Sequence, residues 1–530
     1  MEAHEPLLDS PRQSTEHHRH AEQIEHMEPL AVGDQRLQRR IGWVTGAAVN
    51  ISYMIGSGIF VGPSFTMKLV GSGLMNVFIW FLGGVLSMAG AWTFAELGTM
   101  LPRSGGEVGY LEYIYRKPKY LLAFLFTMWS LSNRASGVSS QGTVFGSYMN
   151  YAFFGSEYKS DWMERGWSVA CATILTLVNI LSSKASLRVM TCLTVVKLTI
   201  LGLVLFVGVL SAMGFLPGDA DMGSALSFQG TATSIAPYAS AIYYVQSSYS
   251  GWQNLNYIMD EVKDPIKSLP KALAASLLST TVLYVLTNIA YLVVLGQGVM
   301  ETNMIVAAAF FTKSLGENFA STVLPIFIGL SSFGSGAAMN FSAGRLIMEA
   351  SRAGLFPFGR TFGHVDPRVQ SPVNAYLLQY ALTILYTLIM PRGAVYQFYI
   401  AFTGYPHYAF YFMTVIGVLV LRKREPHNAR PVTAPYACIA AFLCFTVYAL
   451  LFVYIPVDSP HYPYWAPYVT AIFYMIACSG LWYYLIIVKD TPGKSYNTEI
   501  RKRGQVALDE EVFGEVETLV EDEDRGRHIP

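Results

Sequence analysis

The stretch Asn50-Ile-Ser-Tyr-Met-Ile-Gly-Ser-Gly-Ile-Phe60 sits in the middle of an apolar run, residues 41 to 69, that is long enough to cross a bilayer as a helix. Gly56, Ser57 and Gly58 fall at the centre of that run, where each glycine costs a helix about 1 kcal/mol against alanine. A helix broken at that depth leaves amides and carbonyls unpaired, and hydrocarbon cannot satisfy them. A second stretch repeats the pattern. Gln246-Ser-Ser-Tyr-Ser-Gly-Trp-Gln-Asn254 places Ser247, Ser248, Ser250 and Gly251 near membrane depth in the run 231 to 259, about 190 residues further on.

Working outward with a length of roughly 20 apolar residues, the chain shows twelve such segments: 41–69, 74–100, 119–150, 167–184, 189–214, 231–259, 273–296, 320–351, 373–391, 394–421, 435–456 and 465–488. The composition agrees. Only 14% of the 530 residues are charged and 52% are hydrophobic, with 45 Gly, 33 Tyr, 31 Phe and 9 Trp, whereas soluble chains carry about 25% charge. The expected fold is an all-α membrane protein of twelve spans. Of the 36 Lys and Arg, 29 lie in the tails and the even-numbered connections and 5 in the others, which assigns both tails to the cytoplasm. Arg134 and Lys197 are the two left over, inside segments three and five.

The balance of 36 basic and 36 acidic residues points to no nucleic-acid partner. Cys171, Cys192, Cys438, Cys444 and Cys478 lie in or at the ends of apolar segments without metal-ligand spacing, and read as small core residues. No metal-ligand set, nucleotide loop or catalytic triad is present, so an enzyme is not expected and no cofactor is implied. The first 40 residues lack a cleavable signal, which leaves segment one as the insertion signal. Residues 1–40 and the acidic stretch in 489–530 read as disordered cytoplasmic tails, with His17, His18 and His20 solvated rather than metal-bound. Between them lie a core of ten segments, 41–421, and two further helices with their preceding loop, 422–488.

Each break falls in the first helix of a five-helix set, segments one to five and six to ten. Paired Gly-interrupted segments at matching positions of two halves point to an inverted-repeat transporter with its site at the midplane. The amides of Ser57, Gly58 and Ile59 open the second half of segment one and suit a carboxylate. Carbonyls near Met54 and Ile55, and near Ser247 and Ser248, close the first halves and suit an ammonium. A ligand with both groups on one carbon is an α-amino acid, and Gly56, Gly58 and Gly251 would let it approach the backbone. The competing reading is that Gly56 and Gly58 form a helix-packing face.

Several motifs carry a resemblance: Ile55-Gly-Ser-Gly-Ile-Phe60; Phe94-Ala-Glu-Leu-Gly-Thr with Ser104-Gly-Gly-Glu107; Ser250-Gly-Trp-Gln-Asn-Leu-Asn256 followed by Glu261-Val-Lys-Asp-Pro-Ile-Lys-Ser-Leu-Pro270; Ala343-Gly-Arg345 leading to Ser351-Arg-Ala-Gly-Leu-Phe356; and Leu421-Arg-Lys-Arg-Glu-Pro426 leading to Arg430-Pro431. Over roughly residues 40 to 490 the chain resembles amino acid permeases of the amino acid-polyamine-organocation superfamily, notably the L-type amino acid transporters and the fungal high-affinity methionine permeases. The resemblance implies a five-plus-five inverted repeat with substrate between unwound segments one and six. Lys197 resembles the family lysine that stands where sodium-coupled relatives hold sodium. It therefore implies no sodium dependence, with the amine reaching carbonyls at the first break; the alternative is a lysine that snorkels to an interface. Arg134 matches a family basic position and reads as a structural or gating residue.

Departures from the family bear on specificity. Ser247 stands where the L-type branch commonly has an aromatic cap, with Tyr249 and Trp252 close by, and Gln253 stands where asparagine is usual. His407 and Tyr408 align near pocket positions, and His407 reads either as a proton carrier or as a buried hydrogen-bonded histidine. L-type light chains join a glycoprotein heavy chain through a cysteine in the loop between helices three and four. Tyr151 to Gly166 has none, which argues against a disulfide-linked partner. Lys489, Lys494 and Lys502 are available to ubiquitin. The expectation is a sodium-independent, alternating-access transporter of large neutral or thioether amino acids in the plasma membrane, working by proton symport or exchange. The alternatives are a non-transporting amino acid sensor and a transporter for cationic amino acids or polyamines; the latter would want a pocket acid, whereas Glu96, Asp260 and Glu261 lie toward cytoplasmic ends.

Overall fold

Apolar runs of this length fold as helices, and they end where glycine, proline or serine interrupts them. The computed structural model describes residues 37–155, 160–216, 223, 226–302, 305–389, 394–428, 430–452, 463 and 465–491. Of the expected tails, residues 1–36 and 492–530, with His17, His18, His20, Lys494 and Lys502, lie outside the described residues. Helices α1 (Trp43–Met54) and α2 (Gly58–Val70) meet at a 51° bend. Gly71, with φ of 72°, ends α2 and turns the chain into α3 (Gly73–Met100). The short α4 (Glu107–Ile114) follows Gly105 and Gly106, both at positive φ. Next come α5 (Leu121–Phe154), α6 (Asp161–Leu181) and α7 (Ser183–Ala212), with Ser182 capping α7 by accepting the Ala185 amide at 3.2 Å.

The second half opens with α8 (Ile235–Tyr249) and a 3-10 segment, Trp252–Glu261. It continues through α9 (Pro265–Thr302), α10 (Val306–Leu315), a π turn (Phe319–Val323) leading into α11 (Leu324–Arg352), and α12 (Gly359–Phe362). The last helices are α13 (Val373–Ile389), α14 (Ala394–Arg424), α15 (Tyr436–Phe452) and α16 (Ala466–Trp482), the last running into a π turn (Tyr483–Val488). The described residues form no strand, only isolated bridges Ile41–Val262 and Asp366–Ser371.

Six of these helices are long and apolar enough to cross a membrane, and the bent α1–α2 pair makes a seventh. Shorter apolar helices lie at Val306–Leu315, Val373–Ile389 and Tyr436–Leu451. The count by length and apolarity thus falls short of the twelve expected segments, although each expected segment overlaps a helix. One reason is visible in α5. Its Arg134, Ser136, Ser139 and Asn150 dilute its apolarity, yet all four are buried, because α5 packs between α11, α6 and α13. Helices α4, α10 and α12 fall between the expected segments.

Burial is inverted relative to a soluble domain. Phe78, Phe81, Leu177, Leu278, Phe473 and Ile476 stand exposed on the outside, while Lys197, Arg345, Glu96, Glu107 and Glu261 are inside. Buried charges need partners, and most have them. Arg345 Nε donates to Glu261 Oε1 at 2.7 Å and its Nη2 to Ser183 Oγ at 2.9 Å. Arg422 Nε donates to Glu96 Oε1 at 2.9 Å, and the Ala434 amide donates to Glu96 Oε2 at 2.8 Å. The chain before α1 is tied to the same corner, with the Arg40 and Ile41 amides both donating to the Glu261 carbonyl at 2.8 Å.

Candidate functional site

Both breaks form, and they face each other. In the first, Ile55 leaves helical geometry (φ −78°, ψ 90°), α2 restarts at Gly58, and no side chain caps its N-terminus. By helix geometry the amides of Gly58 and Ile59 in the first turn of α2 are therefore orphans, whereas that of Phe60 donates to the Ser57 carbonyl at 3.1 Å. In the second, α8 runs through Ser247 and Ser248 and stops at Tyr249, later than the serine cluster suggested. Serines persist in a helix by bonding back to earlier carbonyls, as Ser247 Oγ does to Tyr244 at 2.7 Å. The terminator is Gly251 at φ 110°, where a side chain would also collide with the Tyr53 ring. Gly58 brings the breaks together, since a Cβ on it would stand 2.7 Å from Ser248 Oγ. Here the glycine serves helix–helix approach, and Ser248 fills the space it leaves.

Lys197 reaches the first break from α7. It is fully buried and does not snorkel; its Nζ donates to the carbonyls of Ser52 and Ile55, each at 2.5 Å, and to Ser335 Oγ at 2.9 Å. Ser331 and Ser335 of α11 donate to the same Ile55 carbonyl at 3.2 Å. Gly334 admits the lysine stem, for a Cβ there would stand 2.8 Å from Lys197 Cε. Tyr284 of α9 ties the two breaks directly: its hydroxyl is 2.9 Å from the Met54 carbonyl and 3.1 Å from that of Ser248. Asn50 ties them a second way, donating to the Trp252 carbonyl at 2.7 Å and accepting the Leu255 amide at 3.1 Å. The carbonyls assigned to an ammonium are thus already engaged in this conformation.

The remaining candidates spread outward. Ser247 is exposed, and Tyr249 points away from the break, its hydroxyl donating to the Trp80 carbonyl of α3 at 3.0 Å. The Trp252 ring packs at 5.0 Å on Phe94 and 5.7 Å on Tyr411. His407 lies among Trp129, Tyr408 and Tyr411, the last at 4.1 Å between ring centroids, and Tyr408 packs on Tyr243 and Phe445. Gln253 is buried with its side-chain oxygen unpartnered. Arg134 donates to Ser342 Oγ at 2.6 Å and lies 4.1 Å over the Tyr257 ring.

Sequence reading missed Asn50, Tyr284, Ser331, Gly334 and Ser335, and also Gln141, whose amide lies 3.8 Å from the Cβ position of Gly56 and whose oxygen has no partner. The run Ser331-Ser-Phe-Gly-Ser-Gly336 was a usable signal, being small and polar inside an apolar segment; Tyr284 sent none.

The sequence profile of the family described as "Amino acid permease" matches residues 41–478. Asc-type amino acid transporter 1 of Mus musculus is 31% identical over 421 residues, 79% of this chain and 77% of the relative. The cystine/glutamate transporter of Homo sapiens is 30% identical over 469 residues, 87% and 88% of the two chains. Large neutral amino acids transporter small subunit 2 of Rattus norvegicus is 30% identical over 426 residues, 79% and 77%. With its long apolar helices and paired breaks, this chain is a multi-pass membrane protein that belongs to the amino acid permease family.

Proposed function

We propose that the protein carries neutral L-amino acids with large or thioether side chains across the plasma membrane by sodium-independent alternating access. In this reading twelve helices span the bilayer, ten of them as a five-plus-five inverted repeat, and both tails are cytoplasmic. The observation that carries it is the apposition of two broken helices at Gly58 and Ser248 in a chain of this family. The substrate carboxylate takes the free amides of Ser57, Gly58 and Ile59, where the α2 dipole is positive. Its ammonium takes the Met54 and Ser248 carbonyls by displacing the Tyr284 hydroxyl that bridges them. Glycine at 56 and 58 keeps the backbone open, and Trp252, Gln253, Gln141, His407 and Tyr408 surround the side chain.

Lys197 supplies the charge that a sodium ion would otherwise bring, so replacing sodium by choline leaves uptake unchanged. A disulfide-linked heavy chain is not required: Cys171 is buried inside α6, and the loop before it holds no cysteine among residues 151–166.

The test is uptake of labelled methionine and leucine by the purified protein in proteoliposomes, with and without internal amino acid and an inward proton gradient. Uptake competed by unlabelled neutral amino acids supports the reading. Binding without uptake under any of these conditions would replace it with a sensor. In the same assay Gly58→Val is expected to lose about fivefold to a hundredfold in rate, since a clash at one position of a close-packed site costs on the order of 1–3 kcal/mol; full activity would sink the backbone-clamp model.

A further inference from the structure

Among the buried charges one is left over. Glu107, the first residue of α4, is fully buried; its own amide and the Tyr257 hydroxyl face its carboxylate, but neither oxygen closes a hydrogen bond of full geometry. Acids at a helix start are common and are ordinarily solvated; here water is excluded. The groups within electrostatic reach are Tyr53 of α1, Arg134 of α5, Tyr257 of the 3-10 segment, Tyr110 of α4 itself and Tyr411 of α14. Only Arg134 among them is a cation, and it spends a hydrogen bond on Ser342. Burial in such a place disfavours the ionised carboxylate, because little there replaces the water it has lost.

The cover over Glu107 is the part of the molecule that follows the second break. The Gly105 amide donates to the Tyr257 carbonyl at 3.3 Å, Ser104 Oγ accepts the Asp260 amide at 2.9 Å, and the Tyr257 ring lies against Gly106 so closely that a Cβ there would stand 2.8 Å from it. The 3-10 segment is itself kinked at Ile258. Tyr53, facing Glu107, is also the residue packed on Gly251. The segment beyond the break is therefore one wall of the Glu107 site, the others being α1, α5 and α14.

We propose that Glu107 is a proton-binding site of the transport cycle, loaded when Trp252–Glu261 closes over it and emptied to the cytoplasm when that segment lifts. The proposal rests on the transporter reading and the orientation given above, and it selects proton symport over simple exchange. Burial pushes the Glu107 carboxyl up to about 7, against the pull of its own amide, the Tyr257 hydroxyl and Arg134. A hydrated glutamate loses its proton near the usual carboxylate range. The raised value means that the closed form is favoured fully below that range and loses the advantage as pH rises through about 7. Water reaching Glu107 at a near-neutral cytoplasm thus releases the proton, and Arg134 is the cation beside it to receive the new charge.

The test measures labelled methionine uptake together with proton entry in pyranine-loaded proteoliposomes. For one proton per substrate, an inward gradient of about one pH unit supports about tenfold accumulation by the wild type. Glu107→Gln is expected to lose substrate-coupled proton entry and accumulation, and its exchange rate is expected to be flat between about pH 5 and 8 where the wild type falls. Glu107→Asp, which keeps a carboxyl, should restore proton entry, which damage to α4 would not explain. Coupled proton entry in Glu107→Gln, or substrate exchange without protons in the wild type, would overturn the proposal while leaving the transporter reading in place. No uptake of any kind by the folded wild type would instead remove the reading on which it rests. Should Glu107→Gln not fold, proton entry with the wild type and Glu107→Asp decides the matter.

Discussion

At Gly251 two constraints coincide: φ of 110°, and the Tyr53 ring where a side chain would begin. Alanine there is expected to destabilise the protein by at least about 1–2 kcal/mol, the cost of a left-handed conformation for an L-residue, with a further loss from the clash. Thermal unfolding in detergent measures it, and Gly202→Ala, where nothing lies within 4 Å of the new Cβ, is the matched control; equal midpoints for the two variants would refute the geometry. Lys197→Met should also lower the midpoint, because the Ser52 and Ile55 carbonyls lose a charged donor, each such bond being worth about 1.5–3 kcal/mol. Lys197 was legible in the sequence because a lysine in an apolar run is anomalous by itself. Its hydroxyl partner was not, since Ser335 lies 138 residues away and serine in a membrane helix is unremarkable.

At the scale of elements, the breaks are legible from composition because glycine and serine weaken a helix wherever they stand. What holds two broken helices in register is a different matter, and it falls to Asn50 and Tyr284, whose side chains reach carbonyls and amides of both. Tyr284→Phe removes the hydroxyl that bridges Met54 and Ser248. If the substrate ammonium displaces that hydroxyl, the variant loses a competitor, and binding of labelled methionine should tighten by about two- to tenfold, the equivalent of a hydrogen bond of about 0.5–1.5 kcal/mol. Unchanged or weaker binding would show that the ammonium goes elsewhere. The second break was expected at the serines and occurs at Gly251, because serine satisfies itself within a helix whereas positive φ ends it.

Over the whole molecule, buried ion pairs join parts of the chain that the breaks would otherwise leave free to move. Glu261 and Arg345 connect the end of the 3-10 segment to α11, and Ser183 adds the start of α7. Arg345→Met leaves Glu261 buried and unpaired, which is expected to cost about 3–5 kcal/mol, and adding Glu261→Gln should recover much of it. Midpoints for the two variants would check this; no recovery in the double variant would mean that Arg345 acts through packing on Phe341 and Tyr376 instead. By itself the sequence determined that this is a helical membrane protein of the permease type, where its long helices lie and which two of them break. Those are properties of apolar periodicity and of glycine, which act locally. Only the tertiary structure decided which groups satisfy the broken ends, that Tyr249 turns away from them, that Arg134 lies within electrostatic reach of Glu107, and that Glu107 is dry with no hydrogen bond of full geometry. Hydrogen-bond pairing and water exclusion depend on helices distant in sequence, and nothing local encodes them.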